Sequence, residues 1–534
     1  LIAQAEARWR ILAMAILVGF AIIALRVITL PLLVDARASE RRDIDAPAFT
    51  RADLVDRNDV LLATTIPGYN LAADPRLVFE PEKAARELKR ILPDLDQAQV
   101  ARKLADRSRK FVIVANKITQ RQKQAILAVG VAGLMFEDAP RRAYPNGVLA
   151  AHALGFVNRG FAGVAGVERG LDGVIRKAGQ SGAHVRLSLD IRLQYALEQE
   201  LGAAVARANA EGGAGVLLDG ATGEVLALAS APQFDPNRPG AGDDPAKLNR
   251  ASGAIYEMGS TIKPFTLAMA MQDGLVRHDE PFTPSTPVNA GGVMLKDHDP
   301  KPGQITIRDA LVHSSNTVMA ELALRLGAEK QRAYLDELGL LRRLPIEMGE
   351  SGQPFAPLRT TPEQVGRMGF GHGAMMSLLQ MAGAYTVFVN AGERASPTML
   401  AQVSGDPVRR TRVFDPIVAQ EVLLMMRDVV MIGTGKTADI EGLEIAGKTG
   451  TAEIFDGRVY DPDRQVSSFI AVFPASAPRF VLALAVMEPA RTQANGGQAT
   501  AAATAAPAAG RVAARIAPFL GLGVEAAPAG GLTP

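Results

Sequence analysis

The sequence predicts an α+β fold: a single N-terminal transmembrane helix, a mixed α/β pedestal domain, and a larger domain in which an antiparallel sheet is covered by helices. Three observations predict it. An apolar run opens the chain, at Ile11 to Leu25. Short strand-like and helical stretches then alternate up to about residue 187. Beyond that, two pairs of apolar runs around turn residues lie at opposite ends of a long helical stretch, the pattern of one sheet built from distant strands.

The opening run reads ILAMAILVGFAIIAL; Arg26 interrupts it and Val27 to Val34 continues it. Fifteen helical residues span only about 22 Å, short of a hydrocarbon core of about 30 Å. With the second run the length suffices, provided that Arg26 snorkels to the interface. The run is long for a signal peptide and no clean small-x-small cleavage site follows it, so an uncleaved anchor at 11–34 is expected, with 1–10 as a cytoplasmic tail. Arginines flank both sides (Arg8 and Arg10; Arg37, Arg41 and Arg42), so charge alone does not orient the span. A short tail before one span and a large mass after it favour the bulk outside.

From 38 to 187 the strand-like runs Val60 to Leu62 and Val112 to Ala115 alternate with helical stretches at Pro81 to Ile91 and Gln97 to Ala105. No metal-ligand cluster or nucleophile motif occurs here, and the segment reads as a non-catalytic pedestal. The second region, 188–519, is announced by alternation over Val185 to Asp190, which reads as a strand, with Asp190 as cap of a helix reaching about Asn209. Ala214 to Leu218 and Glu224 to Ala229 flank Asp219-Gly220-Ala221-Thr222-Gly223, a hairpin signature. Ser467 to Phe473 and Phe480 to Val486 repeat it around Pro474 to Pro478. Ala501 to Phe519 predicts a closing helix, and 520–534 is a Gly/Pro/Ala tail expected to be flexible.

Composition excludes several chemistries. The chain has 534 residues, enough for two or three domains, and 48% of them are hydrophobic. Charged residues are 21% and nearly balanced at +2, so nothing points to nucleic acid. There is no cysteine, which removes disulfides, thiolate metal sites and cysteine nucleophiles. The six histidines never fall in His-Glu-x-x-His spacing. Gly433-Thr434-Gly435-Lys436-Thr437 has part of a phosphate-binding loop, but Val430 stands where the full pattern needs Gly. His313 adjoins Ser314, yet adjacent helical positions point apart, so it reads as structural.

Three short motifs carry chemistry. Ser260-Thr261-Ile262-Lys263 is the only Ser-x-x-Lys in the chain. On a helix, residues three apart share a face, so Lys263 falls beside the Ser260 hydroxyl. A serine needs a neighbouring base, and a lysine is one once burial lowers its pKa. Chance gives about two such spacings at this length, so the motif alone is weak. Ser314-Ser315-Asn316 follows the amphipathic stretch Ile305 to Val312. Ser314 can pass protons and Asn316 can bond a substrate amide, while the plainer reading is a helix cap. Lys448-Thr449-Gly450-Thr451 follows Ile445-Ala446-Gly447. Such a strand can accept a peptide along its edge, Gly450 leaving room for close approach and Lys448 with the threonine hydroxyls holding a carboxylate.

Taken together and in this order, the motifs resemble the Ser-x-x-Lys, Ser-Asp-Asn and Lys-Thr-Gly set of penicillin-binding proteins and serine beta-lactamases, with Ser-Ser-Asn as the middle element. The chain resembles class B penicillin-binding proteins, most of all the cell-division type, from the anchor to about Leu522. Val55-Asp56-Arg57-Asn58, Arg142-Ala143-Tyr144-Pro145, Ala151 to Phe156, Gly166-Val167-Glu168, Lys296-Asp297-His298 and Gly369 to Gly373 carry the likeness further. One departure is Asp59, where the family usually has Gly, which alters a turn in the pedestal rather than the chemistry.

The resemblance implies a penicillin-binding transpeptidase domain and a D,D-transpeptidase that cross-links peptidoglycan. Ser260 would attack the penultimate D-Ala of a stem peptide, D-Ala would leave, and a neighbouring stem-peptide amine would take the acyl group. It further implies Lys263 as base, Ser314 as relay, Asn316 and Lys448 in the catalytic set, and Thr449, Gly450 and Thr451 as substrate-binding. The backbone N–H groups of Ser260 and Thr451 would make the oxyanion hole, a term worth about 3 kcal/mol per donor. No cofactor or metal is implied. Implied partners are stem peptides, beta-lactam antibiotics, a membrane-embedded glycosyltransferase and division proteins, at the bacterial inner membrane with the catalytic domain outside. The alternatives are an elongation-type transpeptidase, a serine beta-lactamase or D,D-carboxypeptidase using water as acceptor, and a non-enzymatic division scaffold or beta-lactam sensor.

Overall fold

The computed structural model describes residue 14 and residues 51–158, 160–240, 242–403, 405, 407–455 and 460–523. The tail at 1–10 and, but for Met14, the anchor at 11–34 lie outside these residues, as does most of the tail at 520–534. Among the described residues no helix is long and apolar enough to cross a membrane.

The first group of elements falls in the segment expected to form the pedestal. Val112–Ile118, Tyr69–Ala73 and Leu134–Asp138 make a three-stranded antiparallel sheet. Helices Pro81–Ile91 and Gln97–Ala105 begin and end where the sequence predicts. Proline at N1 starts the first, where a missing N–H costs nothing. Asp96 caps the second by accepting from Gln99 N at 3.0 Å. Their inward faces bury Leu88, Val100 and Leu104.

The other pedestal sheet runs Arg141–Ala143, Leu61–Ile66, Leu54–Val55, Val185–Arg186. This corrects the reading of Val185 to Asp190. Only Val185 and Arg186 are strand, paired in parallel with Leu54 and Val55, so the alternation belongs to the pedestal and not to the second region. Asp190 then caps the next helix as expected, accepting from Arg192 N at 3.0 Å. Asp59 adopts a left-handed φ of 65°, the conformation glycine takes without strain. Its carboxylate accepts from Arg186 Nε at 3.0 Å and Nη2 at 2.6 Å. Below this sheet lies a buried ionic knot. Glu168, fully buried, accepts from Arg51 Nε at 2.9 Å and Arg142 Nε at 2.6 Å.

The second group is built on a five-stranded antiparallel sheet. Its strands are β1 (Gly212–Asp219), β2 (Val225–Ala231), β3 (Ala446–Phe455), β4 (Tyr460–Phe473) and β5 (Phe480–Met487), in the order β3-β4-β5-β1-β2. The two predicted hairpins are β1/β2 and β4/β5, and β5 pairs with β1 to join the chain's distant halves. Both faces are covered, which is why these strands read as continuous apolar runs rather than alternating ones. On one face, helices α1 (Ile191–Arg207) and α6 (Ala505–Ile516) pack on Leu217, Leu482 and Leu484. On the other, α4 (Leu378–Tyr385) and α5 (Pro416–Met431) pack on the strands, and α2 (Lys263–Gln272) and α3 (Asn316–Leu326) continue the same core, which holds Val216, Ile470 and Ala483. Helix α2 is apolar nearly all round and runs through the centre, with Phe265, Leu267 and Ala268 fully buried.

Candidate active site

Ser260 lies on a 3-10 turn, Gly259–Ile262, that runs straight into α2. The sequence predicts a helix there; the tighter turn is forced by what surrounds it. Gly259 has φ +52° and donates its N–H to Gly371 O at 3.2 Å, so the Gly369 to Gly373 segment backs the turn. Tyr385 of α4, fully buried, donates its hydroxyl to Thr261 O at 2.6 Å.

Lys263 and Lys448 are both fully buried, and their amines converge on Ser314 Oγ at 3.1 Å and 2.9 Å. Lys263 Nζ also donates to Ser314 O at 2.6 Å and Asn316 Oδ1 at 2.7 Å. Lys448 projects from β3 and donates to Thr449 O at 3.0 Å as well. Neither amine has an ion pair among the described residues. Burial therefore pushes Lys263 down to about 7, with Asp297 pulling weakly the other way. Burial, aided by the charge of Lys263, holds Lys448 well below the usual lysine range. Among the described residues none hydrogen-bonds the Ser260 hydroxyl.

Ser314 sits between helix Ile307–Val312 and α3 with φ +60°. A left-handed serine costs about 1–2 kcal/mol, and it is what points Oγ between the two lysines. Ser315 fulfils the plainer reading of the motif: it caps α3, accepting from Val318 N at 3.3 Å. So the cap and the chemistry share one tripeptide. Asp297 anchors it, accepting from Ser315 Oγ at 2.7 Å, from Thr317 N at 2.9 Å and from Asn316 N. In the sequence Asp297 stands out only within Lys296-Asp297-His298, one of the segments that carry the family likeness; its partners lie about twenty residues downstream, and no local spacing pairs them.

The strand β3 forms one edge of the sheet, with its Lys448 to Thr451 segment beside the Ser260 turn. Gly450 leaves room, but the neighbour is the protein itself. A Cβ there would lie 2.5 Å from Met258 O and 2.8 Å from Thr261 Cγ2, so the nucleophile's own turn docks against the glycine. We predict that Gly450→Ala displaces this turn and costs about 1–3 kcal/mol of stability through overpacking, measured by denaturant unfolding; an unchanged stability would show that the turn is not held there. Thr449 is nearly buried and its hydroxyl bonds Thr434 Oγ1 at 2.6 Å. Thr434 belongs to the segment that looked like a phosphate loop, which instead follows the end of α5 and braces β3.

Ser260, Ser314, Asn316 and Thr451 line one cleft of about 1050 Å³. His313 and His372 also line it. Burial and the nearby Lys263 and Arg367 hold His372 down at about 4, so its imidazole is neutral near pH 7. Sequence reasoning missed Glu453, Gln465 and Arg491 on the same walls, since single polar residues on strands and loops carry no spacing signal.

A buried lysine of lowered pKa one turn from a serine, a second buried lysine across a shared hydroxyl, and an edge strand beside them can together perform acyl transfer on a peptide. Comparison with known proteins agrees. Residues 213–509 match the family described as "Penicillin binding protein transpeptidase domain", and residues 47–176 match "Penicillin-binding Protein dimerisation domain". The chain is 38% identical over 482 residues to a probable peptidoglycan D,D-transpeptidase FtsI of Caulobacter vibrioides, covering 88% of this chain and 82% of that protein. It is 30% identical over 528 residues to the peptidoglycan D,D-transpeptidase FtsI of Escherichia coli strain K12, covering 92% and 88%. In structure it is similar to penicillin-binding protein 3 of Mycobacterium tuberculosis complexed with aztreonam, with a TM-score of 0.68 at 25% identity, covering 89% of this chain and 97% of that one.

Proposed function

The chain belongs to the penicillin-binding protein transpeptidases, and from that premise we propose that it is a peptidoglycan D,D-transpeptidase cross-linking stem peptides in septal cell-wall synthesis. The observation that carries the reading is the convergence of Lys263 and Lys448 on Ser314 beside Ser260, at the edge of β3.

Neutral Lys263 takes the Ser260 proton as Oγ attacks the carbonyl of the penultimate D-Ala. The backbone N–H groups of Ser260 and Thr451 hold the developing oxyanion. The proton passes through Ser314 to the departing nitrogen, the C–N bond breaks, D-Ala leaves, and an ester on Ser260 remains. A stem-peptide amine then attacks that ester, loses its proton along the same path and restores Ser260. Asn316 holds the substrate amide, Lys448 holds the Ser314 hydroxyl from the other side, and Thr449, Gly450 and Thr451 present the strand to the peptide and its carboxylate. A beta-lactam enters the first half of this sequence and stops at the ester.

The same reading assigns 38–187 as pedestal, 188–519 as the catalytic domain and 11–34 as a single-pass anchor in the bacterial inner membrane, with the bulk outside. It also brings a membrane-embedded glycosyltransferase and division proteins as partners. The test is intact-mass measurement after exposure to penicillin, followed by peptide mapping. We expect one adduct, on Ser260; an adduct on another residue, or none, would overturn the assignment.

A further inference from the structure

Three carboxylates line the cleft that holds Ser260, and two of them are already engaged. Asp297 accepts from Ser315 Oγ, Asn316 N and Thr317 N, and Asp299 accepts from Lys301 Nζ at 3.3 Å. The third, Glu453, is half-buried and has no hydrogen bond or ion pair among the described residues. A carboxylate drawn partly out of water is unfavourable unless a partner meets it. Of the lysine and arginine side chains on the same walls, Lys301 is held by Asp299, while Arg491 is exposed and forms no ion pair among the described residues, with Glu453 or any other carboxylate.

The place of Glu453 on β3 identifies what meets it. Side chains alternate along a strand, so Thr449, Thr451 and Glu453 share one face. Glu453 stands opposite Gln465 of β4, which also lines the cleft, and the register slips directly after it, between Glu453 and Ile454. A bulge of this kind re-aims the side chains beside it. In the mechanism above, Thr449 and Thr451 hold the carboxylate of the departing D-Ala, and the Thr451 N–H holds the carbonyl under attack. A peptide laid along β3 therefore has its D-Ala end towards Lys448 and its upstream residues past Thr451, towards Glu453, about 7 Å further on at the rise of a strand. Cross-linking joins copies of one polymer, so the donor strand carries, unreacted, the same side-chain amine that the acceptor offers.

We propose that Glu453 is a specificity-determining residue: it receives the ammonium of the donor's amine-bearing side chain, and Arg491 receives a carboxylate on the same carbon, so that the cleft selects a side chain ending in an amino-acid zwitterion over one ending in a bare amine. This role rests on the transpeptidase reading and adds to it the kind of side chain read upstream of the scissile bond. Because the two charges are not paired with each other, both are free to meet the ligand. They fix the pose of the donor and take no part in the proton transfers.

The test acylates the full chain with three penicillins that differ only at the end of the acyl side chain, which takes the upstream position. One carries an aminoadipyl side chain and ends in a zwitterion, one has that ammonium capped by acetylation, and one has that carboxylate capped as the amide. Acylation rates, read by competition with a fluorescent penicillin, are compared as ratios, since a variant damaged in its fold lowers all three rates together and keeps the ratios. We expect the parent to react about tenfold faster with the zwitterion than with either capped form. Glu453→Gln should lose the advantage over the acetylated form, and Arg491→Gln the advantage over the amide. Equal rates for the parent on all three, or ratios unchanged in either variant, would overturn the proposal. Intact mass of the same samples shows whether Ser260 is acylated at all: no adduct there overturns the transpeptidase reading and this role with it, whereas adducts formed at equal rates overturn this role alone.

Discussion

Replacing Lys263 with methionine is expected to slow acylation of Ser260 by penicillin by about 1000-fold or more, which corresponds to roughly 4 kcal/mol of transition-state stabilisation. Methionine has similar length and suits a fully buried position, so the fold survives while the base is lost. Lys263→Arg separates base from charge: guanidinium keeps the positive charge but does not deprotonate, and an equal loss is expected. The wild-type rate carries a further signature. With Lys263 lowered to about 7 by burial, the amine is protonated and inactive below that pH and neutral above it. Acylation should therefore rise tenfold per pH unit below about 6 and level off above about 8. A flat profile between pH 5 and 9, or a methionine variant within tenfold of the parent, would remove Lys263 from the base role. Lys448, also buried and sharing Ser314, is part of the reason that the site favours one neutral amine: two adjacent buried ammonium groups without a carboxylate would repel each other.

Glu168→Ala should destabilise the fold by about 3–5 kcal/mol, because it strands Arg142 in the interior without a counter-charge and leaves Arg51 with Asp172 alone. The cost is that of leaving buried charges unpaired, and it exceeds what the ion pairs contribute net. Glu168→Gln keeps an acceptor and should lose less. Denaturant unfolding followed by circular dichroism measures both; a loss below about 1 kcal/mol for Glu168→Ala would mean that water reaches the two guanidiniums.

Much of this was legible in the chain itself. Helices Pro81–Ile91 and Gln97–Ala105 follow from local capping and periodicity, and the β1/β2 and β4/β5 hairpins from apolar runs around turn residues. Ser260, Lys263, Ser314, Asn316 and Lys448 are identifiable because their spacing and order are themselves the signal. What the fold decided is contact across distance. Val185 and Arg186 pair with the pedestal because their partner, Leu54–Val55, lies some 130 residues earlier. Gly450 serves the Ser260 turn, Asp297 holds the Ser314 loop, and Glu168 joins Arg51 to Arg142, all through neighbours remote in sequence. Motif and periodicity are local properties that a linear chain displays directly; burial, and with it a lysine pKa near 7, exists only once distant segments have excluded water from the same place.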